Sequence, residues 1–152
     1  MVADQGLIQR IDELVGLFNR RSMDLPDGLF DRRAQFLLNG TAFEAMLGRA
    51  PDDPLVLMIA RGPAGYRFAI KALQHALPDA RVERGDVEDA VAPDEAFAVS
   101  LRLSGHVRGH GEPLQTVGRA RVTVGTSGAV TRAAMAIDPG VATVLRDARL
   151  RD

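Results

Sequence analysis

The chain has 152 residues, 19 basic and 20 acidic side chains, a formal net charge of −1 and no cysteine. This length fits one domain with a sizeable core, and the lack of cysteine excludes disulfides, a thiolate nucleophile and Cys-ligated zinc. The balanced charge argues against nucleic-acid binding, which needs a basic face. Residues 1–9 show no signal-peptide pattern, and the longest apolar run, 55–60, is too short to span a membrane. We therefore expect one cytoplasmic domain over residues 1–152.

The chain begins with a predicted amphipathic helix over residues 4–23, where apolar side chains recur three and four apart. Asp4 suits its N-cap, and Arg20 and Arg21 fall in its last turn, where cations complement the helix dipole. A short second helix is predicted after Pro26, which suits a first helical position.

A hairpin follows, with a strand over 34–39 and a two-residue Asn39-Gly40 turn. Residues 41–47 form either the partner strand or a helix, since they are also good helix formers.

Two helices come next in the predicted order. Asp53-Pro54 is typical of an N-cap and first position, although residues 55–61 could also form a buried strand. A longer helix begins at Gly62-Pro63 and ends at Pro78.

The second half of the chain changes to a period of two, which is typical of half-buried strands. We predict strands over 81–91, 97–104, 114–124 and 129–138, then a short, frayed helix over 141–149. Helices followed by such a meander predict an α+β fold, in which the sheet buries one face against the helices. A strongly curved sheet would enclose a pocket with them.

Four strings of the sequence are informative together: Gly62-Pro63-Ala64-Gly65-Tyr66-Arg67, Leu77-Pro78-Asp79-Ala80-Arg81-Val82, Val99-Ser100-Leu101-Arg102-Leu103-Ser104-Gly105-His106, and the Gly128 turn followed by Ile137-Asp138. In their order and spacing they resemble the SnoaL-like branch of the NTF2-like superfamily. The resemblance implies a cone-shaped α+β barrel, with N-terminal helices packed on a curved antiparallel or mixed sheet, an apolar cavity and a homodimer formed through the sheet. Members include polyketide cyclases, isomerases, dehydratases, epoxide hydrolases and noncatalytic binding proteins.

The resemblance implies catalytic roles for Asp138 and His106. Asp138 matches the family's general acid/base near the end of the last strand, where apolar surroundings would raise the pKa of its carboxyl group. The alternative interpretation is that Asp138 is a structural turn residue before Pro139. His106 lies one position earlier than the family's histidine, and Val107 takes the usual place. A β-bulge near the glycines could turn the His106 side chain toward the cavity. The alternative is that His106 is an exposed loop residue.

Other residues are predicted to bind the substrate. Tyr66 lies on the apolar stripe of the long helix, and His110 is a second candidate to hydrogen-bond an enolate oxygen. Phe18, Phe36 and Leu101 are the apolar contacts. Ala133-Ala134 replaces a His-Trp pair that is frequent in the family, so the cavity would be either larger or filled from Phe18, Phe36, Phe43 and Phe97.

These observations predict a cofactor-independent cyclase, isomerase or lyase that acts on an apolar, carbonyl-containing small molecule by acid/base catalysis. The alternative is a noncatalytic small-molecule-binding or dimeric accessory protein, and a weaker one is an epoxide hydrolase or dehydratase. No metal, cofactor, nucleic-acid or membrane partner is predicted, because the sequence contains no motif for any of them.

Overall fold

The computed structural model describes residues 5–46, 53–89, 95–109 and 111–149, and it confirms the predicted α+β class. None of the helices in these ranges is long and apolar enough to cross a membrane. The elements are α1 (Gln5–Asn19), β1 (Phe30–Leu38), β2 (Thr41–Ala42), α2 (Phe43–Met46), α3 (Pro54–Ala60), α4 (Gly62–Ala76), β3 (Arg81–Asp89), β4 (Phe97–His106), β5 (Pro113–Val124), β6 (Val130–Ala136) and α5 (Pro139–Arg149).

The six strands form one curved, unclosed sheet in the order β2-β1-β6-β5-β4-β3. All neighbours are antiparallel except β1 and β6, which run parallel. The last strand therefore joins the N-terminal hairpin to the meander. Helix α4 packs against β1, and α1 lies against β3. The helices thus cover one face of the sheet.

The first helix is shorter than predicted because the chain reverses at Arg21. This residue has φ 62°, and the amide of Ser22 donates to the carbonyl of Leu17 over 3.0 Å. With the 2.9 Å bond from the Arg21 amide to the Phe18 carbonyl, this is a Schellman motif. The predicted place of Arg20 and Arg21 in the last turn is therefore wrong, and Asp4 lies outside the described residues.

The segments around the hairpin both confirm and correct the predictions. Asn39 and Gly40 have φ 50° and 83° and join β1 to β2 in the predicted tight turn. The returning segment contains a two-residue strand and then α2, so both alternatives hold in part. The helix predicted after Pro26 is absent, since the described chain there forms turns.

The later boundaries follow local capping and turn chemistry. Asp53 caps α3 by accepting a hydrogen bond from the amide of Leu55, 2.9 Å away, and Pro54 takes the first turn. Strand β6 stops at Ala136, two residues before the predicted end, because α5 already begins at Pro139. The predicted frayed tail is therefore a regular helix, three turns long.

Candidate ligand cavity

The concave face of the sheet and helices α1 and α4 border an inner cavity of about 340 Å³, which is partly open. Strand alternation directs one set of side chains into it and the opposite set to the outer face. On β4, Leu101 and Leu103 point inward, and beyond the end of β6 Ile137 continues the inward set of that strand. Other residues that line it include Leu14, Phe30, Phe36, Phe43, Ala120, Ala133 and Met135.

Small residues and aromatic rings shape this space. A Cβ atom on Gly118 would come within 2.9 Å of the Ile137 side chain and 3.0 Å of the Met135 sulfur, so a larger residue there would displace these side chains. At another part of the wall, Phe30 lies 5.3 Å from Phe36 and 5.2 Å from Tyr66 between ring centroids. These rings form part of the cavity wall, and Phe36 is one of the phenylalanines that were predicted to fill this space.

The described lining is almost entirely apolar, and Tyr66 and Thr116 are its two residues with a polar side-chain group. Tyr66 on α4 and Thr116 on β5 both border the inner cavity, and neither hydroxyl has a hydrogen-bond partner within the described ranges. Burial raises the pKa of Tyr66 well above its ordinary value of 10.0. The phenol therefore stays protonated at neutral pH and can donate a hydrogen bond to a ligand.

An outer cavity of about 540 Å³ lies between α4, α5 and the β1–β2 turn. It shares five lining residues with the inner cavity, so the two spaces adjoin. Its lining is more polar and includes Asn39, Thr41, Thr143 and Arg146. The shared residues are Leu38, Phe43, Ala69, Leu73 and Leu145.

Asp138 lies outside both cavities, in contrast to the expected cavity-facing position. Its side chain is exposed and accepts hydrogen bonds from the amides of Gly140 and Val141, at 2.7 and 3.2 Å. It thus caps the N-terminus of α5. The cause is strand alternation, because Ala133, Met135 and Ile137 form the inward set and Asp138 belongs to the other. A catalytic role for Asp138 stays a prediction.

His106 also lies outside the cavities. The register from Gly105–Leu114 to His106–Pro113 continues without a bulge, so the histidine stays on the outer face. Its Nδ1 atom is 2.6 Å from the Asp79 carboxylate, and its amide donates to the same carboxylate over 2.7 Å. These bonds lower the pKa of Asp79. A catalytic role for His106 likewise stays a prediction.

The predicted substrate-binding residues divide into three groups. Tyr66, Phe36 and Leu101 line the inner cavity. Phe18 is buried beside Ile70 and Val107 in a separate core cluster and is not among the cavity residues. His110 falls outside the described residues.

Five polar cavity residues were not predicted from the sequence: Asn39, Thr41, Thr116, Thr143 and Arg146. Thr116 was in phase with Gly118, Ala120 and Val122 on one face of its strand, so alternation could have identified it. Arg146 gave no such signal, because its helix was expected to be frayed. Among the described residues, no carboxylate or histidine lines either cavity, and no cluster of three His, Asp or Glu side chains could hold a metal ion.

Several solved structures have a similar fold. An NTF2-like protein of unknown function from Exiguobacterium sp. 255-15 aligns over 86% of this chain and 98% of its own, with 14% identity and a TM-score of 0.60. A protein from Jannaschia sp. CCS1, assigned as a SnoaL-like polyketide cyclase, aligns over 100% and 99%, with 14% identity and a TM-score of 0.59. TerC, co-crystallised with polyporic acid, aligns over 92% and 98%, with 12% identity and a TM-score of 0.63.

At these identities the similarity shows the fold, which is NTF2-like. The resemblance to SnoaL-like proteins is thereby confirmed for the fold. No protein-family model and no curated protein matches the sequence.

Proposed function

We propose that this protein binds an apolar small molecule in the inner cavity. The observation that carries the proposal is the lining itself, in which the described residues offer an aliphatic and aromatic surface with the hydroxyls of Tyr66 and Thr116. An apolar body gains free energy by leaving water for such a surface. The two hydroxyls can orient a carbonyl or hydroxyl group of the ligand.

The size of the cavity and one structural neighbour support this proposal. Small-molecule sites are commonly about 300–1,000 Å³ with a few polar groups, and the inner cavity of about 340 Å³ falls within that range. The similar structure of TerC was crystallised with a small molecule, polyporic acid.

The test compares two substitutions of the same size on one strand. Ala133 faces the cavity, whereas Ala136 is exposed on the outer face. Ala133→Phe should fill the space and weaken the binding of a neutral dye, N-phenyl-1-naphthylamine, by about tenfold or more, because added bulk cannot be accommodated without strain. Ala136→Phe should leave the dye fluorescence titration unchanged.

Circular dichroism must show both variants folded. If Ala133→Phe proves unfolded, Leu101→Phe replaces it as the cavity-filling variant. Equal dye affinity in folded cavity-filling variants and in the wild-type protein would contradict the proposal.

A second candidate function is acid/base catalysis of cyclisation, isomerisation or elimination on an apolar carbonyl compound. It is favoured by the similar fold of an assigned polyketide cyclase. For this reaction the carboxylate of Asp138 would have to leave the amides of Gly140 and Val141 and turn into the inner cavity, where it would remove a proton next to the carbonyl group. Tyr66 would hydrogen-bond the developing enolate oxygen.

Proton exchange tests this second candidate without knowledge of the substrate. Nuclear magnetic resonance would follow deuterium uptake next to the carbonyl of 2-decanone in heavy water. Catalysis requires faster uptake with the wild-type protein than in buffer, and loss of that excess in Asp138→Asn, which keeps a good N-cap residue. If Asp138→Asn takes up deuterium as fast as the wild-type protein, Asp138 is not the catalytic base.

We further propose that the protein forms a homodimer through the outer face of the sheet. Val117 is 60% exposed on this face, in the middle of β5. Light scattering should give twice the monomer mass for the wild-type protein and the monomer mass for Val117→Glu. A monomeric wild-type protein would contradict the proposal. A cytoplasmic location stays a prediction from the sequence.

A further inference from the structure

We propose that the ligand is an anionic amphiphile, with its apolar body in the inner cavity and its carboxylate head group beside Arg146 in the outer cavity. This inference rests on the proposed binding function and adds the ligand class. The ligand would extend through two adjoining cavities, of which the outer one has the more polar lining.

The boundary between the cavities is apolar and lies next to a cation. Leu145 lines both cavities, and the following residue, Arg146, lines the outer one. Leu73 on α4 and Phe43 on α2 border both spaces as well. A molecule that crosses this boundary therefore passes from an aliphatic surface to a charged one within one residue of α5.

Arg146 has hydrogen-bonding capacity left for a ligand. Its Nε atom lies 3.5 Å from the carboxylate of Asp147, in a pair whose side chains are 66% and 55% exposed. Such exposed pairs are weak because water screens them. Its two terminal nitrogens contact no acceptor within the described ranges, so they can form charge-assisted hydrogen bonds to a carboxylate.

Asn39 adds a neutral donor to the same cavity. Its Oδ1 atom accepts a hydrogen bond from the amide of Ile137, 2.9 Å away, which fixes the side chain. The Nδ2 group then keeps its hydrogens for another acceptor. Because the described lining of the outer cavity includes Arg146 but no carboxylate, its charge complements an anion.

The head-group preference can be measured with ligands that share one chain. Dodecanoate, dodecanol and dodecyltrimethylammonium would compete, below their aggregation concentrations, with N-phenyl-1-naphthylamine. The wild-type protein should bind dodecanoate about tenfold more tightly than dodecanol, a difference typical of one charge-assisted hydrogen bond. The cationic ligand should bind most weakly.

Variants assign this preference to the guanidinium group. Arg146→Gln should bring the dodecanoate affinity down to that of dodecanol, whereas Arg146→Lys should retain most of the preference. Asp147→Asn should strengthen dodecanoate binding, because it removes the competing carboxylate. Arg102→Gln, on the outer face of the sheet, is the matched control and should change nothing.

Two outcomes would overturn the inference in different ways. Equal affinities of the wild-type protein for dodecanoate and dodecanol would contradict the proposed preference for an anionic head group, while the proposed binding of an apolar ligand would stand. If neither the dye nor any of the three chains binds, the proposed function fails as well.

Discussion

Tyr66 places a phenol group beside the otherwise apolar inner cavity. It combines a ring that packs 5.2 Å from Phe30 with a hydroxyl that has no partner within the described ranges. A buried phenol normally finds a hydrogen-bond partner. A ligand carbonyl would supply one, and the raised pKa keeps the phenol a donor rather than a base.

Because the sequence contains one tyrosine, its ionisation can be read directly. The raised pKa means that the folded state resists deprotonation more than the unfolded chain does. The contribution of Tyr66 to stability should therefore be complete below pH 10 and be lost as the pH rises further. Phenolate absorbance should appear near pH 10 in denaturant and only at higher pH in the native protein. A native midpoint near pH 10 would contradict this prediction.

The two predicted catalytic residues show why side-chain direction was hard to infer. Ala133 and Ala134 are both small and apolar, so neither face of the last strand was marked as the inner one. The resemblance alone directed Asp138 toward the cavity, on the face of Ala134 and Ala136, whereas the structure turns the face of Ala133, Met135 and Ile137 inward. For His106, the outward direction depended on whether Gly105 formed a bulge, and the structure shows continuous pairing there.

At the level of elements, local patterns predicted most of the helices and strands. The alternation in β4 and β5, the cap at Asp53 and the turn at Asn39 are each encoded within a few neighbouring residues. The parallel pairing of β1 with β6 is encoded by no such pattern, since it joins Leu38 to Met135 across most of the chain. The position of Arg146 depends on that non-local arrangement, because it sets where α5 lies.

Helix α5 provides a test of the capping role of Asp138. Two amides of its first turn donate to this carboxylate. Asp138→Ala should lower the free energy of unfolding by about 1 kcal/mol, as loss of an N-cap commonly does, and Asp138→Ser should restore most of it. Urea unfolding would measure both. An unchanged midpoint in Asp138→Ala would show that the cap contributes nothing.

For the whole molecule, cavity binding should appear as a gain in stability. A ligand that binds the folded state alone at 100 times its dissociation constant stabilises it by about 2.7 kcal/mol. Thermal unfolding with saturating N-phenyl-1-naphthylamine should therefore shift upward in the wild-type protein and in Ala136→Phe. The shift should be lost in folded Ala133→Phe. An equal shift in all three proteins would indicate binding outside the inner cavity.

The partnership of β1 with β6 has a consequence for synthesis on the ribosome. Until β6 (Val130–Ala136) has emerged, β1 is paired only with the short strand β2, and β5 has one unpaired edge. Unpaired edges of this kind favour association between nascent chains. The sheet can therefore close its central gap only after β6 has been translated. A chain that stops after Val124 should accumulate in inclusion bodies.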